Sequence, residues 1–109
     1  MDISFRNSSL KKLCEDPKSA KKKLGNVAAK KLQARLADLI AVEKLGDIPF
    51  GNPHPLKGRR TGQFAVNLDG GRRLVFKPSD NPIPQDTSGD IKWREVKSIE
   101  IVFIGDYHD

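Results

Sequence analysis

The sequence has 109 residues, with 20 Lys/Arg against 14 Asp/Glu, a net charge of +6 and a pI near 9.6. That length predicts one domain, residues 1–109, around one core, and no apolar run reaches the roughly 20 residues that span a bilayer. The polar start through Asp2, Arg6, Asn7, Ser8 and Ser9 lacks the apolar segment of a secretory signal, so a cytoplasmic protein without membrane association is expected.

Residues 2–6 alternate polar and apolar, which predicts a short first strand. Asn7 or Ser8 then caps a short helix through Lys11, Lys12 and Leu13, since either side chain accepts from the unpaired amides of a helix start. The lone Cys14 in this helix excludes an internal disulfide and reads as a small packing residue. Asp16-Pro17 marks a second helix start, with the proline at a position where a missing N–H does no harm. From there to about Lys44, Ala20, Leu24, Val27, Ala28, Leu32, Leu36, Leu39 and Ile40 recur at three- and four-residue steps and predict one apolar stripe. Gly25-Asn26 is the place for a bend or break in it.

Residues 46–62 are rich in Pro and Gly and predict a loop. Phe64, Val66 and Leu68 then alternate, Asp69-Gly70-Gly71 supplies a tight turn, and Leu74 and Phe76 resume the alternation: a hairpin. On its return strand Arg73, Val75 and Lys77 share the opposite face. Residues 78–92 predict a second polar loop. The last strand, from about Val96 to Ile104, is so apolar that a central place in the sheet is expected. The order β-α-α-β-β-β predicts an α+β fold: a small, mostly antiparallel four-stranded sheet with two N-terminal helices on one face.

The basic charge is unevenly spread: residues 1–45 carry 11 Lys/Arg against 5 Asp/Glu, whereas residues 79–109 carry 3 against 7. Such a chain commonly meets a polyanion, nucleic acid before a membrane surface. His54 stands between two stiffening prolines, with Lys57, Arg59 and Arg60 within six positions. An imidazole moves protons near neutral pH, and a guanidinium fork fits phosphate oxygens, so the combination suits phosphoryl chemistry. No HExxH or CxxC spacing points to a metal, no glycine-rich loop cradles a phosphate, and no nucleophile elbow surrounds a serine. Metal-free RNA cleavage needs none of these, because the substrate's own 2′-hydroxyl is the nucleophile and the protein supplies a base, an acid and cations.

The segment HPLKGRRTGQFAVNLDGGRRLVF, with a final strand ending DYHD, resembles the killer-protein branch of the RelE/HigB superfamily of toxin–antitoxin toxins. The resemblance implies a RelE-like fold and a ribosome-dependent endoribonuclease, an mRNA interferase that cuts message in the ribosomal A site without a cofactor. It implies that His54 and His108 share activation of the 2′-hydroxyl and protonation of the leaving group, with the division between them open. Lys57 and Arg73 would contact the scissile phosphate, Asp106 would orient a base or touch the message, and Tyr107 would stack on or bond to a nucleobase. Arg59, Arg60 and Lys77, with the helical Lys21, Lys22, Lys23, Lys30 and Lys31, would contact RNA and ribosomal phosphates. The implied partners are a cognate antitoxin of helix-turn-helix type, the ribosome with its mRNA, and operator DNA bound through the toxin–antitoxin complex. Two other readings share the residues: a ParE-like gyrase inhibitor, and a catalytically silent nucleic-acid-binding relative.

Overall fold

A computed structural model describes residues 1–49 and 53–106. The first strand, β1 (Asp2–Phe5), leads into α1 (Ser8–Glu15), α2 (Pro17–Leu24) and α3 (Asn26–Ala41). Four more strands follow: β2 (His54–Pro55), β3 (Phe64–Asn67), β4 (Arg73–Pro78) and β5 (Ser98–Gly105).

The helix boundaries are set by local hydrogen-bond chemistry. Asn7 Oδ1 accepts from the Leu10 amide at 3.0 Å and caps α1, a contact worth about 1 kcal/mol. Asp16 ends α1 and starts α2: its carboxylate accepts from the Lys18 amide at 3.1 Å and from the Ser19 hydroxyl at 2.9 Å, and Pro17 takes the first helical position. The second predicted helix is two helices, because Gly25 adopts φ +86°, a conformation that stops α2 and that glycine enters without a steric penalty. The predicted stripe holds for Ala20, Leu24, Ala28, Leu32, Leu36 and Leu39, all buried, while Val27 and Ile40 are exposed. In α3 both fall outside the arc that Ala28, Leu32, Leu36 and Leu39 turn to the core.

The sheet has five strands in the order β1-β5-β4-β3-β2, with β1 parallel to β5 and every other pair antiparallel. The strand beyond the predicted four is β2, inside the segment read as a loop. It is two residues long, with His54 opposite Ala65 and Pro55 opposite Phe64. Proline is tolerated there because β2 is an edge. As expected, β5 lies inside the sheet, between β1 and β4.

All three helices lie on one face. Leu32, Leu36 and Leu39 of α3 and Leu10 and Leu13 of α1 join Phe64, Val66, Leu74, Phe76, Ile99, Ile101 and Ile104 in the main core. Phe76 is fully buried, which stabilises by about 2–3 kcal/mol relative to exposure. A separate small cluster, Ala65, Val75 and Val102 with Leu56 and Phe103 against it, includes no helical residue. It marks the other, uncovered face of the sheet, called the outer face below.

A bulge in β5 decides what that outer face displays. Register runs from Val75 opposite Phe103 to Phe76 opposite Ile101, so Val102 has no partner across the ladder. The extra residue shifts the phase of the alternation. Ile99, Ile101 and Ile104 therefore all reach the main core, and Val102 and Phe103 both turn outward.

The segment after β4 is pinned rather than loose. Asp80 accepts from the Lys97 amide at 3.0 Å and the Ser98 amide at 3.1 Å, and Asp86 accepts from the amides of Ser88 and Asp90. Gln85 and Ile91 form a bridge that closes the excursion.

Candidate active site on the outer sheet face

Strand register places the candidate residues. Residues opposite one another in a ladder share a face, so His54, Ala65, Val75 and Phe103 form one row across four strands of the outer face. The neighbouring row holds Asn67, Arg73 and Gly105. On the far side of the first row, Lys77 lies opposite Glu100. His54 and Arg73 are thus two strands and two residues apart, roughly 12 Å between Cα atoms. Two long side chains leaning together across that gap can hold one phosphodiester between them.

His54 is exposed and Arg73 half-buried. Among the described residues, no carboxylate lies within ion-pair distance of the Arg73 guanidinium, which leaves it able to take an anion. Lys77 differs, since its Nζ is 3.4 Å from Glu100 Oε1.

The basic turn is built on β3. Leu56 donates its amide to the Gln63 carbonyl at 3.0 Å, and Gly58–Arg60 forms a single 3-10 turn in which Thr61 Oγ1 donates to the Gly58 carbonyl at 2.8 Å. Gly58 sits at φ +63°, where a side chain would be strained. The turn leaves Lys57 and Arg59 exposed. Arg60 folds back instead: Nη1 donates to Gln63 Oε1 at 3.0 Å, and the guanidinium carbon lies 4.7 Å from the centre of the Phe103 ring.

Asp106 follows β5 directly, beside the row that holds Arg73. Its carboxylate closes over the β3–β4 turn, where a methyl group placed on Gly71 would meet Oδ2 at 2.7 Å. Tyr107 and His108 lie outside the described residues.

The structure therefore brings His54, Arg60, Arg73 and Lys77 to one face, with Lys57, Arg59 and Asp106 at its rim. It does not bring the helical cations there. Lys21, Lys22 and Lys23 of α2 and Lys30 and Lys31 of α3 are exposed on the helical layer, which covers the opposite face. Two residues of the outer face escaped sequence reasoning: Phe103, whose outward turn depends on the bulge, and Glu100, the partner of Lys77. Gln63 was also missed, although its position three residues after Arg60 in a turn is a signal that pairing is possible.

No family model matches the sequence, and no curated protein matches it. Solved structures do. A YoeB/ParE toxin from Agrobacterium tumefaciens superposes with a TM-score of 0.58 at 13% identity, over 99% of this chain and 100% of that one. The YoeB dimer from Staphylococcus aureus gives 0.56 at 21% identity, over 100% of this chain and 98% of that one. The chain has the fold of the YoeB-type toxins. A YoeB–YefM complex from Staphylococcus aureus agrees, with a TM-score of 0.55 at 22% identity over 100% of this chain and 98% of that one. In that organism the toxin is also described in a heterotetrameric YoeB–YefM toxin–antitoxin complex. The β-α-α-β-β-β order read from the sequence is this fold with α2 and α3 counted as one helix and β2 as loop.

Proposed function

We propose that this protein is the toxin of a toxin–antitoxin pair and that it cleaves mRNA in the ribosomal A site. The observation that carries the reading is the gathering of His54, Arg73 and the Lys57–Arg60 turn on one open sheet face, in a chain with a YoeB-type toxin fold.

A base removes the proton of the 2′-hydroxyl, whose oxygen attacks the adjacent phosphorus. The bond to the 5′-oxygen breaks, and an acid protonates that oxygen as it leaves. His54 and His108 fill these two roles, each worth about 100- to 10,000-fold. Arg73 and Lys57 stabilise the negative charge that builds on the phosphoryl oxygens. Asp106 orients a base or the message, and Tyr107 stacks on an unstacked base. Arg59 contributes a phosphate contact at the rim. The helical lysines, on the far side of the molecule, bind ribosomal RNA without reading sequence. A cognate antitoxin silences the free enzyme, and the pair binds operator DNA.

The test is to add the protein to translating ribosomes and map the message ends. Cuts that leave a 2′,3′-cyclic or 3′-phosphate and a 5′-hydroxyl are expected, and His54→Ala, Arg73→Ala or His108→Ala abolishes them with folding intact. Intact message, together with trapped gyrase–DNA complexes, would replace this reading with the ParE-like one.

A further inference from the structure

We infer that Asn67 is a further catalytic residue, whose side-chain amide donates from Nδ2 to a non-bridging oxygen of the scissile phosphate beside Arg73. This rests on the endonuclease reading above and adds a side chain to which that reading gives no role.

Strand order puts Asn67 on the side of Arg73 that faces His54. β3 runs between β4 and β2, and Asn67 is directly opposite Arg73, with Cα atoms about 4.5–5.5 Å apart. Ala65, two residues earlier on the same strand, is opposite His54, which makes Asn67 and His54 diagonal neighbours at roughly 7–8 Å. On the other flank of Arg73 the next residue in the row is Gly105, which has no side chain. Of the side chains between His54 and Arg73, Ala65 and Val75 are apolar and buried against Leu56 and Phe103. Asn67 is polar and exposed. A phosphodiester drawn in by His54 and Arg73 therefore settles within reach of its amide.

The amide is also uncommitted. Asparagine is depleted in strands and favoured in turns, where its side chain bonds to nearby backbone. Asn67 makes no such bond. The β3–β4 turn is closed by backbone alone, Leu68 donating to the Arg72 carbonyl and Arg72 to the Asp69 carbonyl, each at 3.0 Å. Among the described residues no group hydrogen-bonds the Asn67 side chain. A neutral amide exerts no long-range pull on phosphates, so it adds little to association. Its contribution is directional: a donor held on a paired strand answers charge as it builds on the phosphoryl oxygens. Arg73 supplies charge, and Asn67 adds a second donor aimed from the next strand.

The test is single-turnover cleavage on programmed ribosomes, with message that carries oxygen or, at the scissile linkage, one phosphorothioate of either configuration. The rate at saturation and the half-saturating concentration are read separately. Sulfur accepts hydrogen bonds weakly, so the wild type is expected to cut one diastereomer at least about tenfold more slowly than the oxygen message. Asn67→Ala lowers the saturated rate on the oxygen message about 10- to 100-fold and loses most of the discrimination against that diastereomer. Half-saturation moves less than about threefold. Asn67→Asp, which replaces the donor with a negative charge of the same shape, falls further. The position is exposed, so both variants fold. An unchanged saturated rate in Asn67→Ala overturns the contact. So does a slowed rate with the wild-type discrimination intact, which would leave Asn67 acting only through Arg73, and so does a wild type that cuts both sulfur diastereomers as fast as oxygen. A wild-type chain that cuts no message removes this role together with the endonuclease reading.

Discussion

Lys77 Nζ stands 3.4 Å from Glu100 Oε1 across β4 and β5, so this cation of the outer face is already answered by a carboxylate. The two side chains are 45% and 27% exposed, and a pair that wet contributes no more than about 1 kcal/mol to stability. Its expected effect on binding is to mask the lysine. Lys77→Ala is expected to weaken RNA association less than about threefold, whereas Glu100→Gln strengthens it at low salt by releasing the lysine. Salt titrations of both variants against Arg73→Ala check this. A Lys77→Ala defect as deep as that of Arg73→Ala contradicts it.

Gly71 separates stability from activity. A methyl group there meets the Asp106 carboxylate at 2.7–3.0 Å, but the carboxylate is the free end of a side chain and can swing away. Gly71→Ala should therefore cost less than about 1 kcal/mol in urea unfolding. Cleavage should fall by roughly tenfold or more, since small displacements of a positioned group are costly. Unchanged cleavage would show that Asp106 takes no part.

Gly46 has no such escape. A Cβ at this position meets Arg94 Cβ and the Arg94 carbonyl oxygen at 2.9 Å, and Arg94 Cα at 3.1 Å. These are mostly backbone atoms, held in place by the Leu45 amide donating to the Val96 carbonyl at 2.8 Å. Gly46→Ala is expected to destabilise by about 1–3 kcal/mol, read as a lower urea midpoint. A midpoint equal to that of the wild type would mean that the Leu45–Asp47 and Trp93–Glu95 turns separate freely.

Cys14 should be chemically quiet in the folded protein. Burial, reinforced by the neighbouring Glu15 charge, pushes its thiol up from an ordinary 9.0 to about 12, so almost no thiolate exists at mildly alkaline pH. Iodoacetamide is expected to label it quickly in denaturant and slowly in native buffer, as followed by intact mass. Rapid native labelling is the outcome that fails this prediction.

Asp16 gives the helical layer an acid-sensitive joint. The hydrogen bond from the Ser19 hydroxyl, helped by the Lys18 and Ser19 amides and the Lys12 charge, holds its carboxyl below an ordinary 3.8. A depressed carboxyl stabilises the fold above its unfolded value and loses that contribution as pH falls through its folded one. The thermal midpoint of Asp16→Asn should thus lie below that of wild type near neutral pH and converge with it well below pH 3.8. A gap that persists in acid would assign the effect to something other than ionisation.

The hairpin was legible because Phe64, Val66 and Leu68, then Leu74 and Phe76, alternate around Asp69-Gly70-Gly71, and that alternation also set Arg73 and Lys77 outward. The break at Gly25 was legible as a weakness, since only the backbone angle shows whether a glycine bends or stops a helix. β2 was not, because two residues that include a proline carry no period of their own and are strand only by pairing with β3. The bulge was hidden for the opposite reason: Ile99–Ile104 is so apolar that a slipped phase leaves no trace in the sequence. With the bulge hidden, the outward Phe103 and its contact with Arg60 were hidden too.

The place of β5 has a consequence for the life of the nascent chain. This strand is synthesised after the other four, yet β1 and β4 both pair with it, and β1 pairs across nearly the whole length of the polypeptide. Contacts so distant along the chain form slowly and late. The β3 flank of Arg73 can form early, but its β5 flank is not in place until residues 98–105 have left the synthesising machinery, so the sheet face that carries Arg73 is completed only then.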